Sequence, residues 1–120
     1  MRLGIALEDH KGLQGNIAEQ LGQCESFFLL DIESNKIKQS RVVANTAACG
    51  RGEYVVADEL LKYRVTHVVA CGMSSDAQSK FTQAGVKVFG YSGKAKDAIN
   101  DFLKNKIGTL GAYKERGACR

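Results

Sequence analysis

Apolar and polar positions follow two rhythms along this chain, and the change from one to the other outlines its elements. Arg2-Leu3-Gly4-Ile5-Ala6-Leu7 alternates and is β-prone, which predicts a first strand. The polar, glycine-bearing residues 9–16 predict a loop. Phe27-Phe28-Leu29-Leu30-Asp31-Ile32 is an apolar run of strand length. Glu33-Ser34-Asn35-Lys36 has turn chemistry, and residues 37–43 return as the partner strand of a hairpin. Residues 44–52 then form a loop of small residues.

Beyond that loop the period lengthens. Val56, Leu60 and Tyr63 stand at helical spacing, with Ala57 and Leu61 beside them, and predict a helix over 53–63. Thr66-His67-Val68-Val69-Ala70-Cys71 is continuous and β-branched, as in a strand buried on both faces. Ser75-Asp76-Ala77-Gln78 reads as a capping box, its serine and glutamine satisfying first-turn amides. The helix it opens buries Ala77, Phe81 and Ala84, and Gly85 ends it. Residues 86–91 form a further strand. Ala95, Ala98, Ile99, Phe102 and Leu103 then share one face of a third helix. Residues 108–120 lack periodicity and read as a weakly ordered basic tail behind a domain of residues 1–107.

The order β-β-β-α-β-α-β-α predicts an α/β fold with a single five-stranded mixed sheet and flanking helices. A length of 120 residues allows one hydrophobic core. Composition agrees, with 44% hydrophobic and 25% charged residues. Glu8 and Asp9 interrupt any signal-peptide pattern, and no apolar run approaches the roughly 20 residues that cross a bilayer. A cytoplasmic location without membrane contact is therefore expected.

Charge is unevenly placed. Residues 1–86 carry 9 Lys/Arg and 10 Asp/Glu, a balance of −1, whereas residues 87–120 carry 8 and 3, a balance of +5. A solvated final helix and basic tail account for this, and a surface receptive to an anionic partner is the sharper reading. No nucleic-acid partner is expected. The four cysteines, at 24, 49, 71 and 119, include no C-x-x-C pair. In a reducing compartment they are expected as thiols, serving as core residues or as ligands.

Gly22-Gln23-Cys24-Glu25-Ser26-Phe27, Val69-Ala70-Cys71-Gly72-Met73 and Ala84-Gly85-Val86-Lys87-Val88-Phe89 occur in the order and spacing of a known pattern. With the element order, they resemble the dinitrogenase iron–molybdenum cofactor biosynthesis family over roughly residues 2–104. Gln20-Leu21-Gly22 stands where that family often has His-Phe-Gly. The resemblance implies a ribonuclease-H-like fold and a non-enzymatic protein that binds, carries or helps assemble a metal–sulfur cluster, either iron–sulfur or molybdenum-containing. The partners it implies are the cluster and a protein that donates or accepts it.

Topology adds a location. If the first strand runs upward, Cys24 precedes the antiparallel second strand at the top. The third strand delivers Cys49 to the same edge, and the fourth ends there at Cys71. That edge is the carboxyl end of the parallel strands, where open α/β sheets bind ligands. Cys49, Cys71 and Cys24 are accordingly the candidate metal ligands. Cys49-Gly50-Arg51-Gly52 and Gly72-Met73-Ser74 are the candidate cofactor cradle, since a cluster with several sulfides is a bulky anion that amides, cations and soft ligands can hold. Ordinary turn and capping chemistry is the plainer account of both loops, and the glycine-rich one lacks the G-K-[S/T] of a phosphate loop. His10 can reach this edge or be solvated, while His67 and Cys119 read as structural and incidental. A protein-interaction module without a cluster is the alternative function. A nuclease fits poorly, because Glu8, Asp9, Asp31 and Asp58 do not converge in this topology.

Overall fold

The computed structural model describes residues 1–46, 53–104 and 108–109. Its strands are β1 (Arg2–Leu7), β2 (Ser26–Glu33), β3 (Lys36–Ala44), β4 (His67–Ala70), β5 (Lys87–Gly90) and β6 (Gly108–Thr109). The helices are α1 (Glu53–Leu61), α2 (Ser75–Gln83) and α3 (Ala95–Leu103). All the strands join one sheet in the order β3-β2-β1-β4-β5-β6. β1 pairs antiparallel with β2 and parallel with β4, and β5 lies parallel to β4. The expected five-stranded mixed α/β sheet is present. A two-residue sixth strand extends it, pairing antiparallel with β5 at Phe89↔Thr109 and Gly90↔Gly108. So short an edge strand leaves no hydrophobic alternation in the sequence, which is why residues 108 and 109 read as tail.

The hairpin between β2 and β3 turns through Ser34 and Asn35, at φ 54° and 62°. Asparagine tolerates this left-handed region better than most residues, and the pair supplies the two positive φ angles that a tight hairpin turn needs. β2 pairs with β3 from Ser26↔Ala44 to Glu33↔Lys36, with a register shift between Asp31 and Ile32.

Period-2 alternation splits the core in two. Ala6, Phe27, Leu29, Val68 and Ala70 face α1 and α2, where Val56, Ala57, Leu60, Ala77 and Phe81 pack against them. Leu3, Ile5, Leu7, Phe28, Leu30 and Val69 face the other way and meet Ala95, Ala98 and Ile99 of α3. Adjacent Phe27 and Phe28 thus serve opposite layers, so β2 reads as an unbroken apolar run. α3 buries the face its spacing predicts, with Phe102 and Leu103 at the margin of the same cluster.

The ends of α2 follow from local chemistry. Its N-cap is Ser74, not the expected Ser75: Ser74 is extended (φ −70°, ψ 162°) and its Oγ accepts the Ala77 amide at 3.3 Å. Two successive serines made the assignment ambiguous, and the capping box is not formed as read. At the other end Gly85 has φ 78°, the Gly85 amide bonds Thr82 O at 3.0 Å, and the Val86 amide bonds Phe81 O at 2.9 Å. These are the two bonds of a Schellman cap. A Lys80–Asp58 ion pair of 3.0 Å ties α2 to α1.

Candidate functional site

The carboxyl ends of β1 and β4, the start of β2 and the end of β3 meet at one edge, through Leu7↔Ser26 and Ser26↔Ala44. The segment after β1 is lashed to this edge. Glu8 N–H donates to Asn16 O (2.9 Å), Ala18 N–H to Ala6 O (3.0 Å), Ile17 N–H to Gly93 O (2.8 Å) and Ala95 N–H to Gly15 O (2.9 Å). Residues 16–18 thereby continue the sheet past the point where β4 ends.

Asp9 holds this loop. One carboxylate oxygen accepts the Lys11 amide and the other the Asn16 amide, each at 3.1 Å, while the Asp9 carbonyl accepts the Ser26 hydroxyl. A Cβ on Gly15 would collide with the Asp9 carboxylate, so glycine is required for this close approach. No periodicity announces the clamp. The signal available in the sequence is an Asp with turn-forming residues after it.

The candidate residues fare differently. Cys24 is a buried thiol in the cluster facing α1 and α2; the Asn45 side-chain amide donates to its carbonyl at 2.9 Å and approaches its Sγ at 3.5 Å. Cys71, 2% exposed, belongs to the α3 cluster and is disulfide-bonded, contrary to the expectation of reduced thiols. The two residues share the edge but lie in different core layers. Gly72 and Met73 are buried as well. The Gly72 carbonyl accepts the Leu21 amide at 2.9 Å, and a Cβ there would lie 2.8 Å from Glu19 O. Residues 19–21 therefore cover this turn. Ser74 is exposed, with its hydroxyl engaged as the cap of α2. Cys49, Gly50, Arg51, Gly52 and Cys119 lie outside the described residues.

Beside the edge, Thr46 Oγ1 donates to Glu59 Oε2 at 2.7 Å. That bond, with Lys62 as a further contributor, holds the Glu59 carboxyl below the usual carboxylate range and ties the chain after β3 to α1. Burial, with Asp101 and Asp97 nearby, pushes the Tyr91 phenol up, so it stays neutral at physiological pH. His10 is exposed, 3.9 Å from Glu25. His67 lies at the opposite edge, stacked on Phe89 at 6.0 Å. Among the described residues no three His, Cys, Asp or Glu side chains come together as a metal-binding group. Among them, too, no helix is long and apolar enough to cross a membrane.

Fold and edge define a small α/β protein whose sheet gathers several loops at one end, with the cysteine-bearing turn after β4 among them. The profile of the dinitrogenase iron-molybdenum cofactor family matches residues 1–105, and the chain belongs to that family. A curated relative, the uncharacterized protein MJ0580 of Methanocaldococcus jannaschii, is 24% identical over 110 residues, covering 89% of each chain. Among solved structures, TM1290 from Thermotoga, assigned to the DUF35 family, is 27% identical with a TM-score of 0.76, covering 97% of this chain and 98% of that one. The apo form of the orange protein from Desulfovibrio gigas shares the fold at a TM-score of 0.80, with 20% identity and 92% of each chain covered.

Proposed function

We propose that this protein captures and hands on a metal–sulfur cluster, iron–sulfur or molybdenum-containing, as a carrier or assembly accessory without a reaction of its own. The observation that carries this reading is the family match across residues 1–105. The edge suggests how capture would work. Gly50-Arg51-Gly52 would supply amides and a guanidinium to an anionic cluster, and Ser74 with the first turn of α2 would face it from the neighbouring loop. Cys49 and Cys71 are the soft ligands in this reading.

Two consequences follow from the chemistry. A disulfide sulfur is not a thiolate, so Cys71 must be reduced before it can bind metal. Cys24, in the opposite core layer, is assigned to packing, which narrows the ligand set read from sequence. The protein would act in the cytoplasm and meet a cluster donor or acceptor there. Reduced protein, incubated anaerobically with ferrous iron and sulfide or with tetrathiomolybdate and then desalted, should retain metal and show sulfur-to-metal charge-transfer absorbance. If neither treatment leaves bound metal, the reading fails, and a protein-interaction role without a cluster takes its place.

A further inference from the structure

The opposite edge of the sheet, at the amino ends of the parallel strands, carries a groove of about 700 Å³. That is the size of a small-molecule site. Arg2, Asp31, Glu33, Lys38, Arg64 and Thr66 are among the residues that line it. One wall is fixed: Arg2 Nε bonds Asp31 Oδ1 at 2.7 Å, and Arg2 Nη1 donates to Tyr63 O at 2.7 Å. This pair neutralises itself.

The Met1 ammonium, also in the lining, donates to Ile32 O at 3.0 Å, and two cationic side chains reach the groove through backbone irregularities. Arg64 follows the last turn after α1 at φ 62°, a left-handed conformation that glycine adopts without steric cost and arginine does not. Lys38 sits at the register shift in β3, where Asp31 faces Gln39 and Ile32 faces Ile37, so Lys38 has no residue opposite it. Bulges of this kind re-aim a side chain and recur beside functional sites. Glu33 is the remaining carboxylate of the wall, and its register partner is Lys36. Among the described residues neither Lys38 nor Arg64 has an ion-pair partner, so the groove offers two cationic side chains beside a rigid arginine–aspartate wall.

We propose that this basal groove binds a small phosphate-bearing anion of the pyrophosphate class, with Arg64 and Lys38 gripping the phosphates. Guanidinium geometry matches phosphate oxygens in pairs, and lysine adds a point charge. The site is separate from the cluster edge and does not depend on the proposed function.

Titration calorimetry with sodium pyrophosphate tests this on the full chain. Wild type should bind saturably, one anion per chain. Arg64→Gly should weaken binding at least tenfold while keeping or raising the melting temperature, because glycine suits that φ. Lys38→Gln should also weaken binding, and Lys96→Gln, on the distant exposed face of α3, should not. Absence of saturable binding at millimolar pyrophosphate overturns the proposal, as does an equal loss in Lys96→Gln, which would mean diffuse charge attraction. Tighter binding of citrate than of pyrophosphate overturns the phosphate assignment.

Discussion

Cys24 and Cys71 stand at the same edge of the sheet yet belong to opposite layers of the core, Cys24 beneath α1 and α2 and Cys71 beneath α3. Cys71 continues the alternation of β4 on the face of Val69, whereas Cys24 ends the short 3-10 turn Leu21–Gln23 ahead of β2 and departs from the alternation that puts Phe28 and Leu30 beneath α3. The separation predicts different phenotypes. Cys24→Ala should lower stability by about 1–2 kcal/mol through lost packing while leaving metal loading of the reduced protein unchanged. Urea denaturation and metal analysis of the same preparation check both halves.

Gly72 lies buried against residues 19–21, with room for no side chain. Gly72→Ala places a methyl group against a backbone carbonyl that cannot swing aside, and should cost about 1–3 kcal/mol in urea denaturation. A neutral outcome would mean that the cover over this turn is loose.

Asp9 is predicted to control local opening at the carboxyl edge of the sheet. Asp9→Ala removes the acceptors of the Lys11 and Asn16 amides and should cost about 1–3 kcal/mol. Amide hydrogen exchange at Asn16 should accelerate, while exchange in β2 stays slow.

His67 and two carboxylates, Asp31 and Glu59, make stability fall in acid, the histidine in a higher window than the carboxylates. Burial, then the nearby Lys87 charge, lowers the His67 pKa, so below its ordinary value near 6.5 the unfolded chain takes a proton that the folded one refuses. Stability should therefore decline from about pH 6.5 downward until the folded protein also protonates, and His67→Phe, which keeps a ring on Phe89, should flatten that decline. The hydrogen bond from Arg2 lowers the Asp31 pKa below its ordinary value of 3.8. Its contribution is whole above that pH and disappears as the pH falls through the folded value. Asp31→Asn should shrink this lower step, to which Glu59 also contributes, and leave the upper one unchanged, as read by melting temperature across the acid range.

Much of the fold was legible because apolar periodicity carries it. The unbroken run at 27–32 signalled a strand, the β-branched run at 66–71 signalled one buried on both faces, and the spacing of Ala95, Ala98, Ile99, Phe102 and Leu103 signalled α3. Gly85 marked its helix end because only a left-handed residue completes that cap. Other features left no such trace. Ser74 and Ser75 are equivalent as letters, and backbone geometry alone decides which one caps. The Asp9 clamp and the cover over Gly72 are long-range or irregular contacts without a period. Strand direction made it legible that Cys24 and Cys71 stand at the same end of the sheet. Their assignment to opposite layers depends on the 3-10 turn ahead of β2, which takes Cys24 out of the strand's alternation. The groove of Arg64 and Lys38 was invisible in the sequence, because a bulge and a left-handed arginine are properties of the folded backbone.

The central claim is that the cluster edge binds metal through Cys49 and Cys71. Its most direct test is the metal content of anaerobically reconstituted, desalted protein for the reduced wild type, Cys49→Ser, Cys71→Ser and Cys24→Ala. The account predicts a loaded wild type and Cys24→Ala, with most metal lost from the other two while all remain folded. Full loading of Cys49→Ser and Cys71→Ser, or none in the wild type, would contradict it.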